Sequence, residues 1–282
     1  MLTLTAYLCI ISYITLGDYI MKKLTTIALV ILLVSLVPLF SAGTKEEAGV
    51  PSYIFAANCA WPPLEFVDEN GDIVGFEIDL VNEIAKVQNV NITIQNVAWD
   101  GIFAGLSNGA YDAVASGVSV TDERKKVMGF STPIMTITQA ILSPKSSTDL
   151  TSTATLKNKK VGVQLGTTGH IFLEAYLVAN PSMKTVIKAY DEIGFAVEDM
   201  LNGNLDAVVT DSVVASEYVL SNPNYASKLQ VSGSANDLGD PEPIAIAMLK
   251  DNTALIKLVN DGMAKIVASG KMAELQKKWN IL

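Results

Sequence analysis

The chain has 282 residues, 50% of them hydrophobic, with 29 acidic against 20 basic side chains and a formal net charge of −9. That length is ample for a sizeable core in one large or two modest domains. The acidic balance excludes a nucleic-acid footprint and disfavours an anionic membrane surface, since both demand basic side chains. Two cysteines, Cys9 and Cys59, and one histidine, His170, cannot build a Cys/His metal site, so no metal or cofactor is expected.

The apolar N-terminal stretch allows two readings. One is a membrane anchor over residues 2–40. The other, which fits the grammar better, is a signal peptide that starts at Met21. Lys22 and Lys23 form a basic n-region, residues 24–40 an apolar h-region, and Ser41, Ala42 and Gly43 a cleavage site. Residues 1–20 lack a basic start and read as an over-long upstream extension, so the whole of 1–43 is assigned to the leader. No cysteine follows the small residues, so an exported periplasmic protein without a lipoprotein anchor is expected. Cys59 would be its only cysteine, which rules out an internal disulfide.

Residues 53–57 are short and apolar and precede Pro62 and Pro63, the pattern of a buried strand. Ile78, Leu80, Val81, Ile84 and Ala85 recur at helical spacing, and residues 91–95 alternate as a strand does. Strand and helix in alternation point to an α/β fold with mostly parallel sheets. Residues 106–114 (Leu-Ser-Asn-Gly-Ala-Tyr-Asp-Ala-Val) are then echoed by residues 201–208 (Leu-Asn-Gly-Asn-Leu-Asp-Ala-Val). Each copy reads as a helix end, a glycine stop and a strand opened by aspartate. Two lobes of similar design follow. Ligands bind beyond the carboxyl ends of strands in such sheets, so the tips at Ser116-Gly117 and Thr210-Asp211 would face a shared cleft.

Breaks over Thr138 to Ser147, where Pro144, Lys145, Ser146 and Ser147 interrupt the pattern, and at Asn236 to Pro243 mark the crossings between lobes. Residues 51–137 and 242–282 are assigned to the first lobe and 138–241 to the second. Two crossings imply a two-strand hinge, and hinges permit closure. Residues 244–248 read as one further strand, and two helices follow, carrying Leu255 to Ile266 and Met272 to Trp279.

Taken in order, the motifs Trp61-Pro62-Pro63-Leu64-Glu65-Phe66, Gly75-Phe76-Glu77-Ile78-Asp79-Leu80, Trp99-Asp100-Gly101-Ile102-Phe103, Ser119-Val120-Thr121-Asp122-Glu123-Arg124, Val161-Gly162-Val163-Gln164-Leu165-Gly166-Thr167-Thr168-Gly169 and Asp206-Ala207-Val208-Val209-Thr210-Asp211 resemble the polar amino-acid-binding branch of the bacterial extracellular solute-binding proteins, family 3. The similarity runs from about Tyr53 to Leu282. It implies a two-lobed periplasmic-binding-protein fold of type II, with the ligand cleft between lobes joined by a two-strand hinge. It also implies capture of a free amino acid for the membrane permease of an ABC importer, by a monomer.

A free amino acid offers a carboxylate, an ammonium and a side chain. Arg124 is the candidate for the carboxylate, because a guanidinium binds one through two parallel charge-assisted bonds, with Thr121 capping the short helix beneath it. The alternative is a surface arginine beside Glu123 and Lys125. Asp211 is the candidate for the ammonium, against the alternative of a helix N-cap. The resemblance adds a backbone carbonyl at Gly117, a hydroxyl and amide at Ser119, and Thr168 at a helix start, where amides favour anions. It places Trp61 and Trp99 against the ligand side chain and makes Asn58 and Gln164 the readers of its end. Relatives that bind cationic or amide side chains often carry an acid at the position of Asn58. With asparagine there, and no lysine or arginine at either position, an uncharged side chain is expected. Glu65, Glu77 and Asp79 read as scaffold, and Trp279 as a packing anchor.

Enzyme chemistry on the same fold, of the periplasmic cyclohexadienyl-dehydratase kind, needs a carboxylic acid in the cleft as proton donor. The amides at Asn58 and Gln164 leave that as the alternative, and no catalytic residue is assigned.

Overall fold

In the computed structural model, which describes residues 49–221 and 223–281, the first strand is Ser52–Ala57. It pairs in parallel with Asn91–Asn96 on one side and Ala113–Val114 on the other. Ala247–Leu249 and Met128–Phe130 extend this five-stranded sheet in the antiparallel sense. The second five-stranded sheet repeats the design. Lys160–Gln164 lies between parallel Val186–Tyr190 and Ala207–Asp211. Gln139–Pro144 and Leu229–Ser234 extend it antiparallel. The leader assignment lies outside the described residues. Among the described residues no helix is long and apolar enough to cross a membrane.

The internal echo proves to be one structural device used twice. Gly109 and Gly203 both stop a helix in the left-handed region, at φ 73° and 79°, where glycine carries no Cβ penalty. The aspartate that follows then ties two parallel strands together. The Asp112 carboxylate accepts from Ile54 N–H at 2.7 Å, while Asp112 N–H donates to Ile54 O at 2.8 Å. Asp206 does the same with Lys160, at 2.7 and 2.8 Å.

Two short strands, Met135–Ile137 and Glu242–Ile244, pair antiparallel where the chain passes between the sheets. This is the two-strand hinge. The range Thr138 to Ser147 begins directly after the hinge strand Met135–Ile137 and spans strand Gln139–Pro144, with the Pro144 to Ser147 interruption at that strand's end. The single strand expected over residues 244–248 is two, Glu242–Ile244 and Ala247–Leu249. The reason is a change of partner: Ala245 N–H turns to Val118 O, and Ile246 N–H to Ser131 Oγ. The segment leaves the hinge pair and enters the first sheet.

Helix Phe76–Gln88 buries Ile78, Leu80, Val81 and Ile84, and packs beneath the first sheet with Leu255, Val259, Met263 and Ile266 of helix Thr253–Ala268. Each such side chain contributes about 1.5–3 kcal/mol by leaving water. Ile141, Val161, Val163, Leu173 and Val209 form the corresponding core of the second sheet. Trp279 anchors the C-terminal helix: its ring meets Phe66 edge-on at 5.9 Å, and its indole N–H donates to Asp79 Oδ2 at 2.7 Å. That tie gives the scaffold aspartate its role.

Candidate functional site

The carboxyl ends of the two sheets face one another. Between them lies a small cavity, lined by Asn58, Trp61, Trp99, Ser116, Gly117, Ser119, Arg124, Gln164, Thr167, Thr168 and Asp211. Every residue that the sequence analysis assigned to the ligand is in that lining. Ser116 and Thr167 join as chain neighbours of expected members.

Arg124 sits in the short helix Asp122–Val127, whose N-cap Thr121 accepts from Arg124 N–H through its hydroxyl at 3.2 Å. Its side chain turns inward, unlike those of Glu123 and Lys125. The guanidinium donates to Ser119 O at 3.0 Å and lies 4.9 Å from the Phe103 ring centre and 5.7 Å from that of Trp99. Cation–π contact of this kind holds the fork in place. Burial lowers its affinity for its proton, while Glu242 and Asp211 raise it. An arginine keeps its charge regardless.

Asp211 ends strand Ala207–Asp211 and occupies the N-cap position of helix Ser212–Leu220, yet its side chain makes no capping bond. Oδ1 instead accepts from Gln139 Nε2 at 2.8 Å, and the Trp61 indole N–H lies in reach as a second donor. Burial pushes its carboxyl up to about 7; Gln139, Trp61 and Arg124 pull it down, and Glu242 adds to the rise. A carboxyl poised there is half-charged at neutral pH and turns fully anionic beside a cation.

Side-chain contacts also link the two lobes across the cleft. Gln164 Nε2 donates to Asn58 Oδ1 at 3.2 Å, and the Ser119 and Thr168 hydroxyls stand 3.4 Å apart. Thr168 opens helix Thr168–Ala179, so the positive end of that helix adjoins the cavity. His170 lies one turn in, its Nδ1 accepting from Gly166 N–H at 3.1 Å. Gly117 has φ 55°, where an L side chain is strained, and a Cβ there would stand 3.2 Å from the Trp61 ring, which would have to shift by a few tenths of an ångström.

Two site residues were missed. Gln139 and Glu242 are buried behind the lining, and the Gln139 amide nitrogen reaches Glu242 Oε1 at 2.9 Å as well as Asp211. The one sequence signal was a polar residue heading the apolar strand 139–144.

A half-buried guanidinium carried by one sheet region and a buried carboxyl group at the tip of the other sheet thus line one cavity, the arrangement of a two-lobed solute-binding protein. The chain belongs to the bacterial extracellular solute-binding proteins, family 3, whose profile matches residues 53–281. It is 34% identical to a probable histidine-binding protein of Neisseria gonorrhoeae, over 84% of this chain and 88% of that one. It is 32% identical to ABC transporter arginine-binding protein 1 of Escherichia coli K12, over 85% and 93%. An ancestral arginine-binding protein, solved bound to arginine, superposes with a TM-score of 0.75 at 34% identity, covering 81% of this chain and 97% of that one. These names place the chain with binders rather than with the dehydratase alternative.

Proposed function

We propose that the protein is exported by its leader to the periplasm, captures a free amino acid as a monomer by lobe closure, and delivers it to the permease of an ABC importer. The ligand carboxylate lies on Arg124, with the Ser119 and Thr168 hydroxyls and the helix-start amides beside it. The ammonium lies on Asp211, and the Gly117 carbonyl and the Trp61 and Trp99 rings enclose the rest. One observation supports this above others: Arg124 comes from the first lobe and Asp211 from the second, and both reach the same cavity. A zwitterion therefore completes an ion pair with each lobe only when the lobes are closed, which couples binding to closure.

For the side chain, the readers Asn58 and Gln164 are both neutral amides, which supports an uncharged polar group. A cationic side chain is favoured by a different observation. The cleft mouth beyond Asn58 and Trp99 is lined by Asp100, Asp191 and Glu192, and the relatives named above bind histidine or arginine by their names. Thermal unfolding of the purified protein with each common amino acid tests both readings, because a ligand of the folded state raises the melting temperature. A shift with one or a few L-amino acids is expected, and which of glutamine, histidine or arginine leads decides the side chain. Absence of any shift across the set refutes amino-acid capture.

A further inference from the structure

Glu65 and Glu77 lie beneath the cavity, both with no exposed surface. The Ser116 hydroxyl donates to Glu65 Oε1 at 3.0 Å and accepts from Asn58 N–H at 2.9 Å. The Gly117 N–H donates to Glu77 Oε2 at 2.5 Å. Glu65 Oε2 and Glu77 Oε1 are each left without a partner. A buried polar atom with no partner costs about 1–3 kcal/mol, and more when charged. The two carboxyl groups are within hydrogen-bonding reach of one another.

We propose that Glu65 and Glu77 share one proton, and that this pair positions the Ser116–Gly117 turn for the ligand. Glu65 carries the proton and donates it from Oε2 to Glu77 Oε1, so both orphaned oxygens are satisfied at once. Glu77 holds the negative charge, in the first turn of helix Phe76–Gln88, where the helix dipole favours an anion. The chain of bonds is then closed: Asn58 N–H to Ser116, Ser116 to Glu65, Glu65 to Glu77, and Gly117 N–H to Glu77. Three of the residues so tied, Asn58, Ser116 and Gly117, line the cavity.

The surroundings fit. Burial and then Glu77 hold the Glu65 carboxyl well above the usual carboxylate range, with a smaller push from Cys59 and an opposing pull from Ser116. Burial also raises Glu77, opposed by the Gly117 amide and Glu65. None of these influences is a cation. The buried Cys59 thiol is itself pushed up to about 11 by burial, so it adds no charge near neutrality. Two carboxylates at close range in such a place cannot both ionise cheaply.

The consequence has a sign. The folded pair keeps a proton that the unfolded chain releases, so the stability it contributes is lost as pH rises above the ordinary carboxylate range and through the raised value. Unliganded wild-type protein and Glu65→Gln are compared by thermal unfolding from about pH 6 to about pH 10. The glutamine amide donates to Glu77 without a titrating proton. The wild type is therefore expected to lose melting temperature relative to the variant as pH rises, and parallel curves overturn the shared proton. Infrared absorption of the wild type at about pH 8 needs no variant. Asp211, at about 7, is ionised there, so a remaining protonated-carboxyl band is expected, and its absence overturns the pair. The positioning role is read by tryptophan fluorescence, because Trp61 lies against Gly117. An alkaline change present in the wild type and absent in Glu65→Gln is expected, and identical profiles overturn it. The inference rests on the Ser116–Gly117 turn lining the ligand cavity. None of these measurements uses an amino acid, so a failure of amino-acid capture shows separately.

Discussion

Gln139 Nε2 stands 2.8 Å from Asp211 Oδ1, and the same nitrogen stands 2.9 Å from Glu242 Oε1. One amide thus separates a carboxylate of the second lobe from a carboxylate of the hinge strand Glu242–Ile244. Without it two like charges would face each other in a medium where repulsion is strong. The bridge also leaves Asp211 poised to meet a cation, and the first prediction follows from it.

Amino-acid affinity is expected to weaken as pH falls below about 7, the value to which burial pushes the Asp211 carboxyl. Below it the acid is protonated in the empty site and must release its proton to hold an ammonium. The dissociation constant should rise by up to about tenfold per pH unit. Calorimetric titration from about pH 5 to about pH 8 measures this. The slope should vanish in Asp211→Asn, which should bind weakly throughout.

Arg124→Ala should weaken binding by at least about a hundredfold, since two charge-assisted bonds of about 1.5–3 kcal/mol each are lost. The melting temperature of the unliganded protein should change little. Arg124→Lys keeps the charge but not the planar fork, and should recover only part of the affinity. Undiminished affinity in the alanine variant would remove the carboxylate from this residue.

Asn58→Asp should move preference toward cationic side chains, read as the ratio of arginine to glutamine affinity. The substitution has a structural cost as well. Asn58 Nδ2 donates to Val97 O at 3.3 Å, and a carboxylate there meets a carbonyl with no donor between them. A lower melting temperature should accompany the shift. An unchanged ratio would mean that Asn58 does not read the side chain.

Gly117→Ala should cost about 1–2 kcal/mol of stability from the left-handed backbone alone. It should also weaken binding, because its new methyl presses on Trp61 at 3.2 Å. Denaturant unfolding and titration of one sample separate the two effects. Wild-type values of both would show that neither the turn nor the ring needs the glycine.

Much of the molecule is local enough to be written in the chain. The period of Leu80, Val81 and Ile84 sets a helix, the Asp-Ala-Val echo sets two strands of one design, and Thr121 caps the helix that turns Arg124 inward. The tips Ser116-Gly117 and Thr210-Asp211 were legible because strand tips in parallel α/β sheets gather at one edge, whereas Asn58, Trp61, Trp99, Ser119, Gln164 and Thr168 were marked by the resemblance to the family. The roles of Gln139, Glu242, Glu65 and Glu77 were not. Each is an ordinary polar residue within or beside an apolar run, and its meaning depends on partners far away in sequence: Gln139 meets Glu242, 103 positions on, and Ser116 meets Glu65, 51 positions back. The same holds for Asp211, whose position after a strand fits a cap or a ligand equally well. Composition and periodicity determined the two lobes and the residues at their tips, because those follow from local backbone preference and burial. Which carboxyl groups are charged, bridged or paired was decided by tertiary structure alone, because desolvation and proton sharing depend on what the fold brings within 3 Å.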